Sequence, residues 1–282
     1  MMNFTTIAKA KKETKLSYLG TINSSAKIIK NMKVGHYTYS LNLSPANTSG
    51  YNTCPNSTPE CRLGCLATSG RSGIEIFSGK TTIKDARIKK TRLFYENTAY
   101  FMQWLITDLK AWQNKAKNDK YAFSVRLNTI SDINWQTVLV DGKNIFEIFP
   151  DVQFYDYTKS GIKFIDKPSN YHLTLSHTGR NWELCEAMLK IGNNVAIIFN
   201  VRNENDLPQT FNGYRVINGD ETDMRVNDAK GVLVGLKWKR IGNREAEKKV
   251  LNSCFVVQPN DVRCGYVTSN VQTVNVQELV LA

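Results

Sequence analysis

The sequence predicts an α/β protein, a single-domain partial or irregular (β/α) barrel with mainly parallel strands. Three observations predict it. From residue 120 onward the chain is a series of short apolar runs, each ending in polar side chains. Buried parallel strands show this pattern, because they are apolar over most of their length and ligands bind at their carboxyl ends. Stretches with apolar residues every three and four positions lie between some of the runs, as crossover helices require. The 282 residues, 41% of them hydrophobic, suffice for one large core, and no internal repeat or low-complexity linker divides them. The expected organisation is a basic arm over residues 1–34, an α/β domain over 35–260 with a cysteine loop at 46–73, and a C-terminal extension over 261–282.

Residues 1–34 are polar, basic and poor in large apolar side chains, so they are expected to add little to the core, with one short helix near 24–31. The first strand is expected over 36–44, where Tyr37, Tyr39, Leu41 and Leu43 alternate with polar residues until Pro45 ends the run. In the loop that follows, Gly64, Gly70 and Gly73 permit tight turns. From about 81 to 117 the pattern turns helical, with Ile83, Ala86, Leu93, Phe94, Phe101, Trp104, Leu105 and Leu109 on one face. Asn97-Thr98 can cap a second helix and divide the run. Strands are then expected over 121–127, 152–155, 172–175, 195–199, 214–217 and 231–236, with an eighth at 253–258. A helix over 181–190, stopped by Gly192, is expected to cross between two of them. The connections 159–170 and 201–213 hold Pro and little helical periodicity, which argues for an irregular barrel rather than equal units.

The chemistry is expected in the cysteine loop. Cys54, Cys61 and Cys65 are spaced C-x6-C-x3-C and account for half of the six cysteines. A loop this rich in Pro, Gly, Ser and Asn has no periodic apolar face, so packing does not explain three thiols converging in it. Three thiolates can surround one tetrahedral ion or the face of a cluster. They leave one coordination position open, filled by a fourth Cys or His in a structural zinc site and left to a ligand in a substrate-binding iron–sulfur cluster. His36, His177, Cys254 and Cys264 are the candidate fourth ligands, and free thiols are the remaining alternative. Cys185 sits in a helical pattern with Leu184 and Met188 and is expected to be an ordinary buried thiol.

Further candidates stand at strand ends. Asn128, Ser131 and Asp132 follow one apolar run and Asp156, Tyr157 and Lys159 another, with Ser176 and Asn200 at the ends of two more. There a carboxylate can accept an amine or ribose hydroxyl, and a lysine can pair with a carboxylate or phosphate. The alternative for each is a loop network in which Asp and Ser satisfy backbone N–H groups. Asp220, Asp223 and Arg225 fit a divalent-metal site or a salt bridge within a turn, the salt bridge preferred. P-loop, G-x-G-x-x-G, G-x-S-x-G and H-E-x-x-H patterns are absent, which argues against the commonest NTPase, Rossmann, hydrolase and metalloprotease readings.

Lys and Arg number 37 against 25 acidic residues, a net charge of +12, and such an excess attracts phosphates, so a nucleotide or nucleic acid is the expected partner. Lys80, Lys84 and Arg87 share a helix face with Lys90 and Arg92 beside it, either a solvated surface or a phosphate site. No apolar stretch is long enough for a membrane span and residues 1–18 lack a signal-peptide centre, so the expected location is the cytoplasm.

Several segments resemble a known family. They are Leu43-Ser-Pro-Ala46, Cys54 to Cys65 followed by Gly70-Arg-Ser-Gly73, the stretch from Ala86 to Phe94, Arg126-Leu-Asn-Thr-Ile-Ser-Asp132, Phe154-Tyr-Asp-Tyr-Thr-Lys159 and Asn218-Gly-Asp220. Together they resemble the phage gene eighty-eight protein family from about Gly35 to Trp238, which implies a viral origin and carries no activity with it. The order of strand, cysteine loop, helix and strands is also similar to radical S-adenosylmethionine enzymes. Their spacing is C-x3-C-x2-C, and an aromatic residue commonly stands where this chain has Gly64. That likeness implies a [4Fe-4S] cluster on Cys54, Cys61 and Cys65, with S-adenosylmethionine on its open iron. Asn128 and Ser131 would then seat the cofactor with Asp132, and Asp156, Lys159 and Ser176 would line the pocket. The competing expectation is an accessory nucleic-acid-binding protein of phage replication with a structural zinc site.

Overall fold

The computed structural model describes residues 3–266 of the chain, so the last part of the expected C-terminal extension, 267–282, lies outside the described residues. An 11-stranded sheet organises these residues in the order β1-β2-β3-β4-β5-β6-β9-β8-β7-β11, with β10 paired to β6. The strands are β1 (Gly20–Thr21), β2 (His36–Leu41), β3 (Ala122–Arg126), β4 (Gln153–Thr158), β5 (Tyr171–Ser176), β6 (Asn194–Phe199), β7 (Thr210–Phe211), β8 (Tyr214–Asn218), β9 (Leu233–Lys237), β10 (Val256–Val257) and β11 (Cys264–Gly265). Every pairing from β2 through β6 to β9 and β8 is parallel, as is β10 with β6. Antiparallel pairs occur only toward the two edges, β1 with β2 and β7 with β8 and β11. The sheet does not close on itself, so the expected mixed α/β class with mainly parallel strands is present and a closed barrel is not.

Alternation along the strands sorts the side chains onto two faces. One face carries Tyr39, Leu41, Val125, Phe154 and Leu173, all at most 2% exposed, in a core shared with Phe101, Trp104, Leu105 and Leu109 of the helix Thr98–Asn118. Leu175, Val195, Ile197, Phe199 and Leu233 continue that face against Cys185 and Leu189 of the helix Trp182–Lys190. Cys185 is thus the ordinary buried thiol expected. Both crossover helices therefore stand where their periodicity placed them. The break between Thr82–Glu96 and Thr98–Asn118 falls at Asn97, whose side chain accepts from the Tyr100 N–H.

The other face is polar from β2 to β5. Thr38, Ser124, Tyr155 and Thr174 are buried on it, and their neighbours in register carry Arg126, Tyr157, His172 and Ser176. The sheet curls toward this side. In a flat sheet β3 and β8 would stand about 24 Å apart, at roughly 4.8 Å per strand. Yet Arg126 at the end of β3 reaches Asp223, just beyond β8, at 2.7 Å.

The arm corrects an expectation. Residues 1–34 were expected to add little to the core, but Ala10, Leu16 and Leu19 are at most 3% exposed and pack into the main cluster. Their apolar residues are few, but the helix Ile7–Thr14, capped by Thr6, and the turn after it direct them inward. The short helix Ala26–Lys30 then lies against the open side of the curled sheet. Asn31 behind it donates to Thr38 at 2.8 Å and to the Tyr155 hydroxyl at 3.0 Å, and accepts from the Asp223 and Met224 N–H groups at 2.9 and 3.1 Å.

Candidate functional site

The carboxyl ends of the parallel strands and the inner face surround a cavity of about 220 Å³. All three loop cysteines line it, with Asn128, Ser131 and Asp132 after β3, Tyr157 and Lys159 at β4, Ser176 and His177 at β5, and Trp238 and Lys239 after β9. Ala196, Ile198, Leu236 and Phe255 form an apolar wall. A space of this size at the carboxyl edge of a parallel sheet suits a small molecule.

The cysteine loop is held by a chain of local contacts. The Thr53 hydroxyl donates to the Ser44 carbonyl at 2.6 Å, the Ser44 N–H to Thr91 at 2.7 Å, and the Asp132 N–H to the Thr53 carbonyl at 2.8 Å. Ala46 takes a left-handed conformation at φ 47°, a region that a residue with a Cβ rarely adopts, and its N–H points at the Cys54 sulfur, 3.4 Å away. The stretch expected as pure loop contains short helices, Pro59–Leu63 among them, with Thr58 as its cap and Pro59 in its first turn. Cys61 sits on that helix and Cys65 just beyond it. Glu60 anchors it to Arg180 at 2.8 Å. Gly64 faces the Trp238 ring so closely that a Cβ there would stand 3.0 Å from it. An aromatic side chain thus covers this turn from β9's end rather than from the loop itself.

The basic helix face is not solvated along its whole length. Lys80 and Lys84 are exposed, but the helix turns Lys90 inward, where its ammonium donates to the Leu19 carbonyl at 2.6 Å. Burial lowers Lys90 to about 7. Arg87 donates to Ser72 at 3.1 Å and to the Ala67 carbonyl at 3.4 Å, and Arg92 to the Ser49 carbonyl at 3.1 Å. These cations hold the arm and the cysteine loop in place.

Around the three sulfurs the electrostatics resist thiolate at Cys65. Burial lowers Lys159, but Cys61, Asp132 and Cys54 beside it raise it on balance. Burial pushes Cys65 up to about 11, against a hydrogen bond from the Ala67 backbone, with Cys61 and Cys54 adding their repulsion. Among the described residues, no group of three His, Cys, Asp or Glu side chains is arranged to hold a single metal ion. Of the candidate fourth ligands, His177 lines the cavity, Cys254 is exposed and Cys264 lies in β11, while His36 begins β2, at the end of the sheet away from the cavity.

The strand-end candidates divide. Asp132 lines the cavity, and its carboxylate accepts from Thr158 at 2.7 Å, from the Lys159 N–H at 2.9 Å and from the Lys163 ammonium, so it fixes the β4 loop that presents Lys159. Asn128 lines the cavity, but its amide is used up: Ser131, Trp135 and the Ile133 N–H donate to its oxygen, and its nitrogen donates to the Ile133 carbonyl. Ser131 and Ser176 line the cavity. Asp156 does not. It points to the helix-covered face, where it accepts from the Asn128 N–H at 2.8 Å and the Tyr171 hydroxyl at 3.0 Å, and burial pushes it up to about 7. Asn200 is also elsewhere, bonded to Gln258 at 2.8 Å.

Asp223 forms an ion pair, as preferred, but across the molecule rather than within its turn. Its carboxylate, fully buried, accepts from Arg126 at 2.7 and 2.9 Å and from Tyr155 at 3.0 Å, with the Lys27 ammonium 3.6 Å away. Burial opposes the charge, but Arg126 and Lys27 hold Asp223 at about 2. Arg225 pairs instead with Asp228 at 3.2 Å. Lys27, Arg126 and Trp238 were not foreseen as cavity residues. For Arg126 a signal existed, since its parity matches Ser124 and places both on the polar face.

No helix among the described residues is long and apolar enough to cross a membrane. A family model described as Gene product 88 matches residues 4–253, most of the chain. No curated protein and no solved structure matches it significantly, so the likeness to radical S-adenosylmethionine enzymes rests on the order of elements alone.

Proposed function

The chain belongs to the gene product 88 family of phage proteins, and we propose that it is an enzyme working in the inner-face cavity, with Cys54, Cys61 and Cys65 holding an iron–sulfur cluster at its rim. The curled sheet is read as an incomplete (β/α) barrel, open between β1 and β11. One observation carries the proposal. The three sulfurs line one cavity, where the Ala46 N–H points at Cys54 from 3.4 Å and Lys159 lines the same space. Hydrogen bonds of this kind stabilise ligating thiolates and tune the centre they hold.

The donor set fits a cluster better than a closed ion site. A cubane is wider than a single ion and needs only three cysteines when its fourth iron is left to a ligand, whereas structural zinc takes four protein ligands. Once bound, such a cluster supplies one-electron chemistry, and S-adenosylmethionine is the cofactor proposed for its open position. The chain's own residues do the rest. Asp132, pinned by Lys163, positions the Lys159 loop; Ser131 and Ser176 offer hydroxyls to the ligand; Ala196, Ile198, Leu236 and Phe255 keep that wall dry.

The test is iron, sulfide and zinc analysis with an absorption spectrum on protein purified without oxygen. Stoichiometric iron and sulfide are expected, reduced together by Cys54→Ser, Cys61→Ser or Cys65→Ser. Stoichiometric zinc without iron or sulfide would sink the proposal and return the cysteines to a structural role.

A further inference from the structure

The cavity holds a second charged group that a cluster at the cysteines does not use. Lys27 from the arm, Arg126 from β3, and Lys237 and Lys239 from the end of β9 line it with Tyr157, Asp220 and Asp223. The charges on this side do not balance. With Lys159, five cationic side chains line the cavity against three carboxylates, and one of those, Asp132, is already engaged by Lys163 from outside the lining. The remaining carboxylates are shared. Asp223 serves both Arg126 and Lys27, and Asp220 lies 3.9 Å from Lys27 and 3.6 Å from Lys239.

Among the described residues, two polar groups here have no partner. The Tyr157 hydroxyl and the Arg126 Nε are buried without a hydrogen bond. Leaving buried donors unsatisfied costs stability, and a native site that does so commonly reserves them for a ligand or water. The Arg126 guanidinium lies over the Tyr157 ring at 4.8 Å and the Lys27 ammonium over the same ring at 5.8 Å, so the cations converge on one spot. Burial also lowers Lys27 and Lys239, cations that an added negative charge would relieve. Next to this polar spot stand the Trp238 ring and the apolar wall of Ile198, Leu236 and Phe255.

We propose that this side of the cavity is an anion subsite, and that the substrate is a small phosphorylated molecule with a flat ring, of nucleotide class. Its phosphate is taken by Lys27, Lys239, Arg126 and Tyr157, and its ring by the Trp238 wall. The inference rests on the cavity being the site, as proposed above, and not on the metal.

The experiment is isothermal titration calorimetry at low ionic strength on the full chain, with adenosine 5′-monophosphate and adenosine as probes. The monophosphate is expected to bind at least tenfold more tightly than adenosine. Lys239→Met, at a side chain 43% exposed, leaves the fold intact and should weaken the monophosphate at least tenfold without changing adenosine. Lys27→Met should do the same, its thermal melt reporting the fold separately. Equal affinity for the two probes, no binding of the monophosphate, or an unchanged Lys239→Met would overturn the inference. Iron-free protein that binds the monophosphate sinks only the cluster; iron-loaded protein that ignores it sinks only the subsite.

Discussion

Replacing Asp223 with Asn tests the central ion pair with almost no change in shape. The carboxylate is fully buried and is the common partner of Arg126 and Lys27. Its displacement from 3.8 to about 2 is a little under two units, which at about 1.4 kcal/mol per unit corresponds to roughly 2.5 kcal/mol. The amide also leaves Arg126 buried without a carboxylate and Lys27 with Asp220 alone, and breaking a buried pair typically costs about 3–5 kcal/mol. Roughly 3 kcal/mol is therefore expected at pH 7, or about 6–12 °C in Tm for a chain of this size. The pH dependence follows from the direction of the shift. A carboxyl depressed on folding contributes fully above its unfolded value near 4 and loses that contribution as the pH falls toward 2. The gap between wild type and Asp223→Asn, read from urea unfolding by tryptophan fluorescence, should thus be widest at pH 7 and shrink below pH 4. Pairing Arg126→Met with Asp223→Leu should recover much of the loss, because the one cation then left, Lys27, keeps Asp220 at 3.9 Å. A gap under about 0.5 kcal/mol at pH 7, or one that stays constant on acidification, would refute the reasoning.

Asp156 should behave in the opposite sense. Burial raises it to about 7, so its contribution is full below about pH 4 and fades as the pH rises toward 7. Asp156→Asn is expected to flatten the fall in Tm between pH 4 and 7, and parallel Tm curves for the two proteins would count against the assignment. Gly179 has a φ of 87°, and a Cβ there would lie 2.5 Å from the Cys254 carbonyl carbon and oxygen. Gly179→Ala should cost about 2 kcal/mol or more, lowering Tm by at least about 4 °C; a change of under 1 °C would show that this approach is not real.

Much of the fold was legible because its signals are local. The strand at residues 36–44, the Asn97 helix break and the crossover helix before Gly192 can each be read from fewer than about twenty residues of pattern. The site was legible only where residues act through their place on the chain. Cys54, Cys61, Cys65, Asp132 and Lys159 were singled out because they follow strands, and all five line the candidate cavity. Asp156 was grouped with Tyr157 although adjacent strand positions face opposite sides, and alternation sends it behind the sheet. Lys90 read as a surface charge because helical periodicity reports an angle and not what stands against it. Lys27 was out of reach for a different reason: its partner Asp223 is close only because the sheet curls, and curvature leaves no local trace in the sequence.

The arm's docking carries a consequence for how the protein is made. Asn31 accepts hydrogen bonds from Asp223 and Met224, 192 and 193 residues further along, and Lys30 donates to the Asp220 carbonyl at 2.8 Å across 190. The arm therefore finds these partners in a part of the sheet translated about 190 residues later. During synthesis the arm must wait, and its contacts close loops of 190 to 193 residues, a long-range kind that is slow to form. The cavity consequently acquires its Lys27 wall only after Asp223 has been made.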